Sequence, residues 1–295
     1  IPAVKVAEGV IATSELYKNT LAGSGACIAP DTFQRVRDQR QAAQIKFLIN
    51  QANLRKSELK NNSVKEFVEL LKKINADKEG LNIKNVEVLA YASPDGGFDF
   101  NDKLASKRQD VSVDYAKKQL KSAKVQSDVT GKYTAQDWEG FQELVSKSNI
   151  QDKELILRVL SMYQDPEQRE QEIKNISSVY KTLAEEILPQ LRRSRLTLNY
   201  EIIGKSDEEI ASLADSDAKQ LNIEELLYAT TLTKDATKQE AIFTKATQIY
   251  PNDFRAYNNL GKLAYQAGDL DKAESYFKKA LSIKDAPEVN MNLGL

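Results

Sequence analysis

FRAYNNLGKLAYQAGDLDKAESYFKKALSIKDA, Phe254–Ala286, decides how the C-terminal third of the chain folds. Tyr257, Leu260-Gly261 and Ala264 share one face of a first helix, and Ala273, Phe277 and Ala280 share one face of a second. Such i, i+3, i+4 recurrence is the mark of amphipathic helices. Gly261 and Ala273 let the two helices approach closely, while Leu260 and Phe277 fill the gap. The pattern repeats on both sides. Leu-Gly returns at Leu293-Gly294, where a third unit begins. A degenerate unit precedes, about Gln220–Asp253, keeping Leu226, Phe243, Ala246 and Pro251 but placing Gln239 where a small residue belongs. Self-similarity near about 34 residues predicts a solenoid. One unit cannot bury its face alone, and roughly three are wanted for stability. The array is therefore expected to continue past Leu295 or to be capped there.

The spacing resembles the tetratricopeptide repeat family. The resemblance implies an all-α helical-repeat array over residues 205–295 that holds a partner protein. The array opens at SDEEI, Ser206–Ile210, a capping box with Ser206 as N-cap and Glu209 three positions on.

Composition narrows the function. The 295 residues carry 42 Lys and Arg against 43 Asp and Glu, a net charge of −1. No global field draws in nucleic acid or an anionic membrane. Hydrophobic residues at 41% and charged residues at 29% suit a globular chain with two domains. No run approaches about 18 apolar residues, so no transmembrane segment is expected. The opening IPAVKVAEGVIATSELY has no Met, basic region or cleavage site, and reads as a mature start with any export signal or lipid anchor upstream. The chain has no histidine. That removes Ser-His-Asp and Cys-His chemistry, the commonest general base and most zinc sites. Cys27, the lone cysteine, cannot form an internal disulfide and reads as a small, partly buried side chain. Asp207, Glu208, Glu209, Asp215 and Asp217 sit at helix starts, where the helix dipole favours acids. Gly96-Gly97 lacks the Gly-Lys-Ser/Thr of a phosphate cradle, and no calcium loop is present. The chain is read as no enzyme, with no metal and no cofactor.

Upstream of the array the periodicity changes. Within residues 1–43, VKVAEGVIATSELY alternates weakly and suggests one or two strands. Gly23-Ser24-Gly25 reads as a turn, and Pro30-Asp31-Thr32 as the start of a short helix. This region is expected to pack on, or precede, a sheet domain spanning 44–204. Its first strand is QIKFLIN, Gln44–Asn50. A helix comes next, capped by Ser63, with Val64, Phe67, Val68, Leu71 and Ile74 on one face and Gly80 at its end. Ile83–Ala92 is a second strand, Ser93–Gly97 a turn, Asn101 to about Leu120 a second helix, and Val125–Tyr133 a short strand. The strand-helix-strand step implies a right-handed crossover. Residues 134–189 read as a helical insertion with three apolar faces. These are Trp138, Phe141, Leu144 and Val145; then Leu155, Ile156, Val159 and Leu160; then Ile173, Ile176, Val179, Tyr180, Leu183 and Ile187. Asp165-Pro166 starts one of its helices and Pro189 closes the block. Leu196–Ile203 is the closing strand. The fold class is α+β, β-α-β-α-β with inserted helices, followed by the all-α array.

AYASPDGGFDFNDKLASKRQDVSVDYAKKQL, Ala90–Leu120, resembles the OmpA-like C-terminal domain family, whose members bind peptidoglycan. Asn101, Leu104-Ala105 and Arg108 match the family in order and spacing, and Val113–Tyr115 fits the next turn of the same helix. Arg192, Arg193 or Arg195 supplies the arginine before the last strand. The insertion resembles a variant associated with Bacteroidetes cell-envelope proteins. The family clamps the amine and carboxylate of diaminopimelate between a loop acid and the helix arginine, a pairing that suits a planar guanidinium. The resemblance places Arg108 at the arginine position and Ser93 where the acid should stand, with Asp95 two residues on. The candidate peptidoglycan-binding residues are thus Ser93, Asp95, Asn101, Leu104 and Arg108. The expected function is a non-catalytic scaffold at the periplasmic face of the outer membrane or the cell surface, its OmpA-like domain on peptidoglycan and its repeat array on a protein partner. Ser93 in place of the acid motivates the alternative: a structural or assembly module of an outer-membrane, secretion or surface-fibre system that has lost peptidoglycan binding.

Overall fold

A computed structural model of the chain describes residues 25–150 and 152–295, with the backbone alone at 177–179. The N-terminal strands expected in 1–24, the turn at Gly23-Ser24 and the side chain of Val179 lie outside the described residues. The chain divides into two units, residues 36–204 and residues 205–295 together with the described residues 25–35. No helix among the described residues is long and apolar enough to cross a membrane.

The first unit is a mixed α/β domain. Its elements are β1 (Val36–Lys46), α1 (Asn62–Ala76), β2 (Leu81–Tyr91), α2 (Phe98–Ala123), β3 (Asp128–Thr134) and β4 (Arg193–Ile203). They form a four-stranded sheet in the order β1-β4-β2-β3. β4 runs antiparallel to both neighbours, with Leu196 opposite Ala43 on one side and Val88 on the other. β2 and β3 are parallel, joined through α2, with Val86 opposite Val129. Alternation along the strands sends Ile45, Val86, Val88, Leu196 and Leu198 into one face. Val64, Phe67, Leu71 and Ile74 of α1 and Ala116 and Leu120 of α2 close over that face. A sheet buried on one face and covered by helices is a stable two-layer arrangement.

Several boundaries differ from expectation. The first strand begins at Val36 rather than Gln44, so the sheet unit starts at 36 and not 44. Residues 36–40 are exposed and mostly polar, and they join β4 through backbone pairing that leaves no hydrophobic signature. Pro30–Thr32 forms no helix; the segment is irregular, with Asp31 accepting from the Phe33 N–H at 3.0 Å. The cap of α1 is Asn61, whose side chain accepts from the Val64 N–H at 2.9 Å, while Ser63 donates to Asn61. α1 ends at Ala76, so Gly80 lies beyond its C′ position.

Between β3 and β4 stand α3 (Trp138–Lys147), α4 (Lys153–Met162), α5 (Pro166–Asn175), α6 (Ser177–Thr182), a π-helical turn over Leu183–Ile187 and α7 (Leu188–Leu191). Phe141, Val145, Ile156, Leu160, Ile173 and Leu183 build a separate small core. Leu155 is exposed and drops out of its expected face. Pro166 takes the first position of α5 under an Asp165 cap, whereas Pro189 sits inside α7 and does not end the block.

The second unit contains α8 (Asp207–Ser216), α9 (Ile223–Ala229), α10 (Ala236–Ile249), α11 (Phe254–Gln266), α12 (Leu270–Ile283) and α13 (Pro287–Leu293). The Ser206–Glu209 capping box is present, with both reciprocal bonds. Where a third unit is expected, the helix starts at Pro287, ahead of Leu293-Gly294. α9 and α10 occupy the stretch expected as the degenerate unit. Gln239 keeps its place there because its amide donates to the carbonyls of Thr230 and Thr233 at 3.0 and 2.9 Å. It satisfies the loop between the helices, a task that a small residue could not do.

Candidate functional site

The five residues singled out by the OmpA-like resemblance gather at the N-terminal end of α2 and the 93–97 loop. α2 turns Asn101, Leu104, Ala105, Arg108, Ser112, Ala116 and Leu120 inward, a stripe at helical spacing. Arg108 therefore lies on the buried face, with no exposure to solvent. All three guanidinium nitrogens donate to main-chain carbonyls: Nε to Gln51 at 3.0 Å, Nη1 to Tyr91 at 2.9 Å and Nη2 to Leu48 at 3.2 Å. The guanidinium carbon lies 5.1 Å from the centre of the Phe47 ring. Burial pushes the Arg108 guanidinium down to about 10, the nearby Arg192 adding to the effect and Asp95 opposing it. Arg108 ties the ends of β1 and β2 to α2.

The loop is held from several directions. The Asn101 amide donates to the carbonyls of Ser93 and Gly96 at 3.1 and 3.2 Å. Gly96, at φ +116°, adopts a conformation that L side chains avoid. Its N–H donates to Glu170 of α5 at 2.7 Å, and its carbonyl accepts from Gln136 at 3.1 Å. Leu104 is buried and packs without any polar role. Ser93 and Asp95 both meet Arg192. Nε donates to Ser93 Oγ at 3.3 Å and Nη2 to Asp95 Oδ2 at 3.2 Å. Asp95 Oδ1 is buried and has no partner among the described residues. Asp95 is among the residues lining an apolar cleft with Trp138, Phe141, Ile173 and Leu188.

A second buried pair stands beside the first. Arg193 Nη2 donates to Asp137 Oδ2 at 3.0 Å, and Asp137 Oδ1 caps α3 by accepting from the Gly140 N–H at 2.9 Å. Burial raises the Asp137 carboxyl, while the Gly140 N–H and Arg193 pull it back down.

The structure thus joins Asp95 to Arg192 and directs Arg108 to the backbone. Of the three arginines open as the strand-entry residue, Arg192 meets the loop acid and Arg193 pairs with Asp137; Arg195 is exposed. Glu170, which seals the Gly96 N–H, comes from the insertion 74 residues away and left no signal in the sequence.

In the helical unit the packing follows the repeat spacing. Ala264, Ala273 and Phe277 close α11 on α12, and Ala280, Ala286 and Val289 close α12 on α13. No curated protein matches the chain. The tetratricopeptide repeat family matches residues 254–285, the span of α11 and α12, and this stretch is a tetratricopeptide repeat, a unit that serves protein–protein interaction.

Proposed function

We propose that the chain is a non-catalytic protein-binding scaffold of the cell envelope, in which the repeat array holds a partner protein and the sheet unit is an OmpA-like structural or assembly module. The array half rests on the matched repeat. The envelope half rests on the Asn101–Leu104–Arg108 spacing and on the β-α-β-α-β order. The observation that carries the structural role for the sheet unit is Arg108: it is fully buried, and each of its three nitrogens already donates to a carbonyl. A carboxylate ligand would have to displace bonds that tie α2 to the end of β2 and to the segment after β1.

One observation favours peptidoglycan association instead. Asp95 Oδ1 is a buried acceptor with no partner among the described residues, and the other oxygen of the same carboxylate lies 3.2 Å from the Arg192 guanidinium. An acid beside an arginine suits a zwitterionic amino acid. Sedimentation with purified sacculi separates the two readings. The structural role expects no co-sedimentation of the wild type. Co-sedimentation that is abolished by Asp95→Asn, in a protein that remains folded, would establish the peptidoglycan reading.

A further inference from the structure

The described N-terminal segment is not a free tail. Residues 26–33 lie along α11, α13 and α9 of the repeat array, and their backbone is read by buried asparagines. Asn259 makes a two-way amide pair with Ala29: the Ala29 N–H donates to Oδ1 at 2.8 Å and Nδ2 donates to the Ala29 carbonyl at 3.0 Å. Asn292 makes the same pair with Cys27, at 2.7 and 2.9 Å. Asn259 directly precedes Leu260-Gly261 and Asn292 directly precedes Leu293-Gly294. The two asparagines thus hold the same place before a Leu-Gly pair, reading residues two apart on a segment with neither helix nor turn. That is the spacing at which one edge of a strand presents its N–H and C=O groups. Asn258 links them, donating to the Cys27 carbonyl at 3.2 Å and accepting from Asn292 Nδ2 at 2.8 Å.

The contact continues toward the start of the array. The Thr32 N–H donates to Glu224 at 2.6 Å, and Arg255 holds Glu224 by two bonds at 2.7 and 3.0 Å. Phe33 stacks on Tyr228 with ring centres 4.3 Å apart, and Arg35 pairs with Asp207. Side chains add a size filter. Ala26 packs with Ala264, Ala273 and Phe277, and Ala29 is 1% exposed, while Ile28 and Pro30 point outward. Main-chain bonds give affinity for any extended peptide, and the two inward positions accept only small residues.

We propose that residues Ala26–Phe33 are an intramolecular ligand of the repeat array, occupying in cis a groove that takes an extended peptide of the partner protein. The strap gates recognition: the partner peptide enters as the strap leaves. This rests on the protein-binding reading of the array and adds the class of partner and its control. A tethered segment presents itself at an effective concentration on the order of millimolar. A free peptide of equal affinity is then excluded at micromolar concentrations.

The test uses the full chain and a fluorescent peptide copying residues 26–33, with Ser in place of Cys27. Ala29→Arg puts a cation where the strap is most buried and should dislodge it. Anisotropy is expected to show at least about tenfold tighter peptide binding to Ala29→Arg than to wild type. The gain should disappear when Asn259→Ala and Asn292→Ala are added. A folded Ala29→Arg protein, by circular dichroism, that binds the peptide no better than wild type overturns the proposal. Should that variant not fold, the wild type supplies the second readout. Alkylation of Cys27 by iodoacetamide is expected to accelerate severalfold under millimolar free peptide, and an unchanged rate overturns the proposal. Failure of both readouts with a partner still captured by the wild type would overturn the strap and leave the protein-binding reading in place.

Discussion

Gly261 meets the ring of Phe277 with no space between them: a Cβ at 261 would lie 2.5 Å from Phe277 Cε1 and 2.6 Å from Cδ1. The packing of α11 on α12 at this point depends on the missing side chain. Gly261→Ala gains about 1 kcal/mol of helix propensity but overpacks a filled site, which costs about 1–3 kcal/mol. The expected net result is a lower urea midpoint for the helical unit. Phe277→Leu relieves the clash, so Gly261→Ala should be less harmful in that background. Additive losses in the double-mutant cycle would show that the two side chains are not coupled.

Arg108 serves stability in this structure. Arg108→Met removes the buried guanidinium and the bonds to the carbonyls of Leu48, Gln51 and Tyr91, so it should cost about 1–3 kcal/mol. Arg108→Lys should not rescue it. A point-like ammonium cannot reach three diverging carbonyls as a planar fork does. Urea denaturation followed by circular dichroism checks both. A surface arginine kept for a ligand would change stability by less than about 0.5 kcal/mol.

Asp137 carries a pH dependence of definite sign. Burial raises its carboxyl above the ordinary 3.8, with Gly140 and Arg193 opposing. The folded state therefore holds this proton more tightly than the unfolded chain does. The contribution is full below pH 3.8 and is lost as pH rises through the higher folded value. Relative to Asp137→Asn, which does not titrate, the wild type should lose stability as pH rises across that window. Parallel stability curves for the two proteins would refute it.

The Cys27 thiol reports on the strap. Burial pushes it above the ordinary 9.0, and Glu288 adds to the shift. Its alkylation by iodoacetamide should titrate at higher pH than free cysteine, since the thiolate is the nucleophile. Ala29→Arg should return the midpoint toward the ordinary value. A wild-type midpoint at or below that of free cysteine would contradict the burial.

Many elements of this protein are legible in short stretches of its sequence. Helix faces such as Val64, Phe67, Leu71 and Ile74, or Leu260, Gly261 and Ala264, are local patterns with a period of one turn, so neighbours in sequence announce them. The Ser206–Glu209 capping box is likewise complete within four residues. The start of β1 is not legible, because Val36–Arg40 are exposed and join β4 through backbone pairing that buries no side chain. Asn61 and Ser63 are both good caps, and only the fold of the preceding turn chooses Asn61.

The chemistry of the polar residues depends on groups distant along the chain. A polar residue on a helix looks the same in sequence whether its face is wet or buried, so Arg108 can be placed on α2 from its spacing but not turned inward. Its partners are Leu48 and Gln51, just past the end of β1, and Tyr91 at the end of β2. The choice of Arg192 for Asp95, and of Glu170 for Gly96, likewise joins residues 97 and 74 positions apart. The placement of residues 26–33 is the clearest case. Nothing local holds Cys27 and Ala29 in place; Asn292 and Asn259 do, from 265 and 230 residues away. Local periodicity set the elements of this chain, and long-range hydrogen bonds of buried polar groups, which composition cannot encode, set what those elements hold.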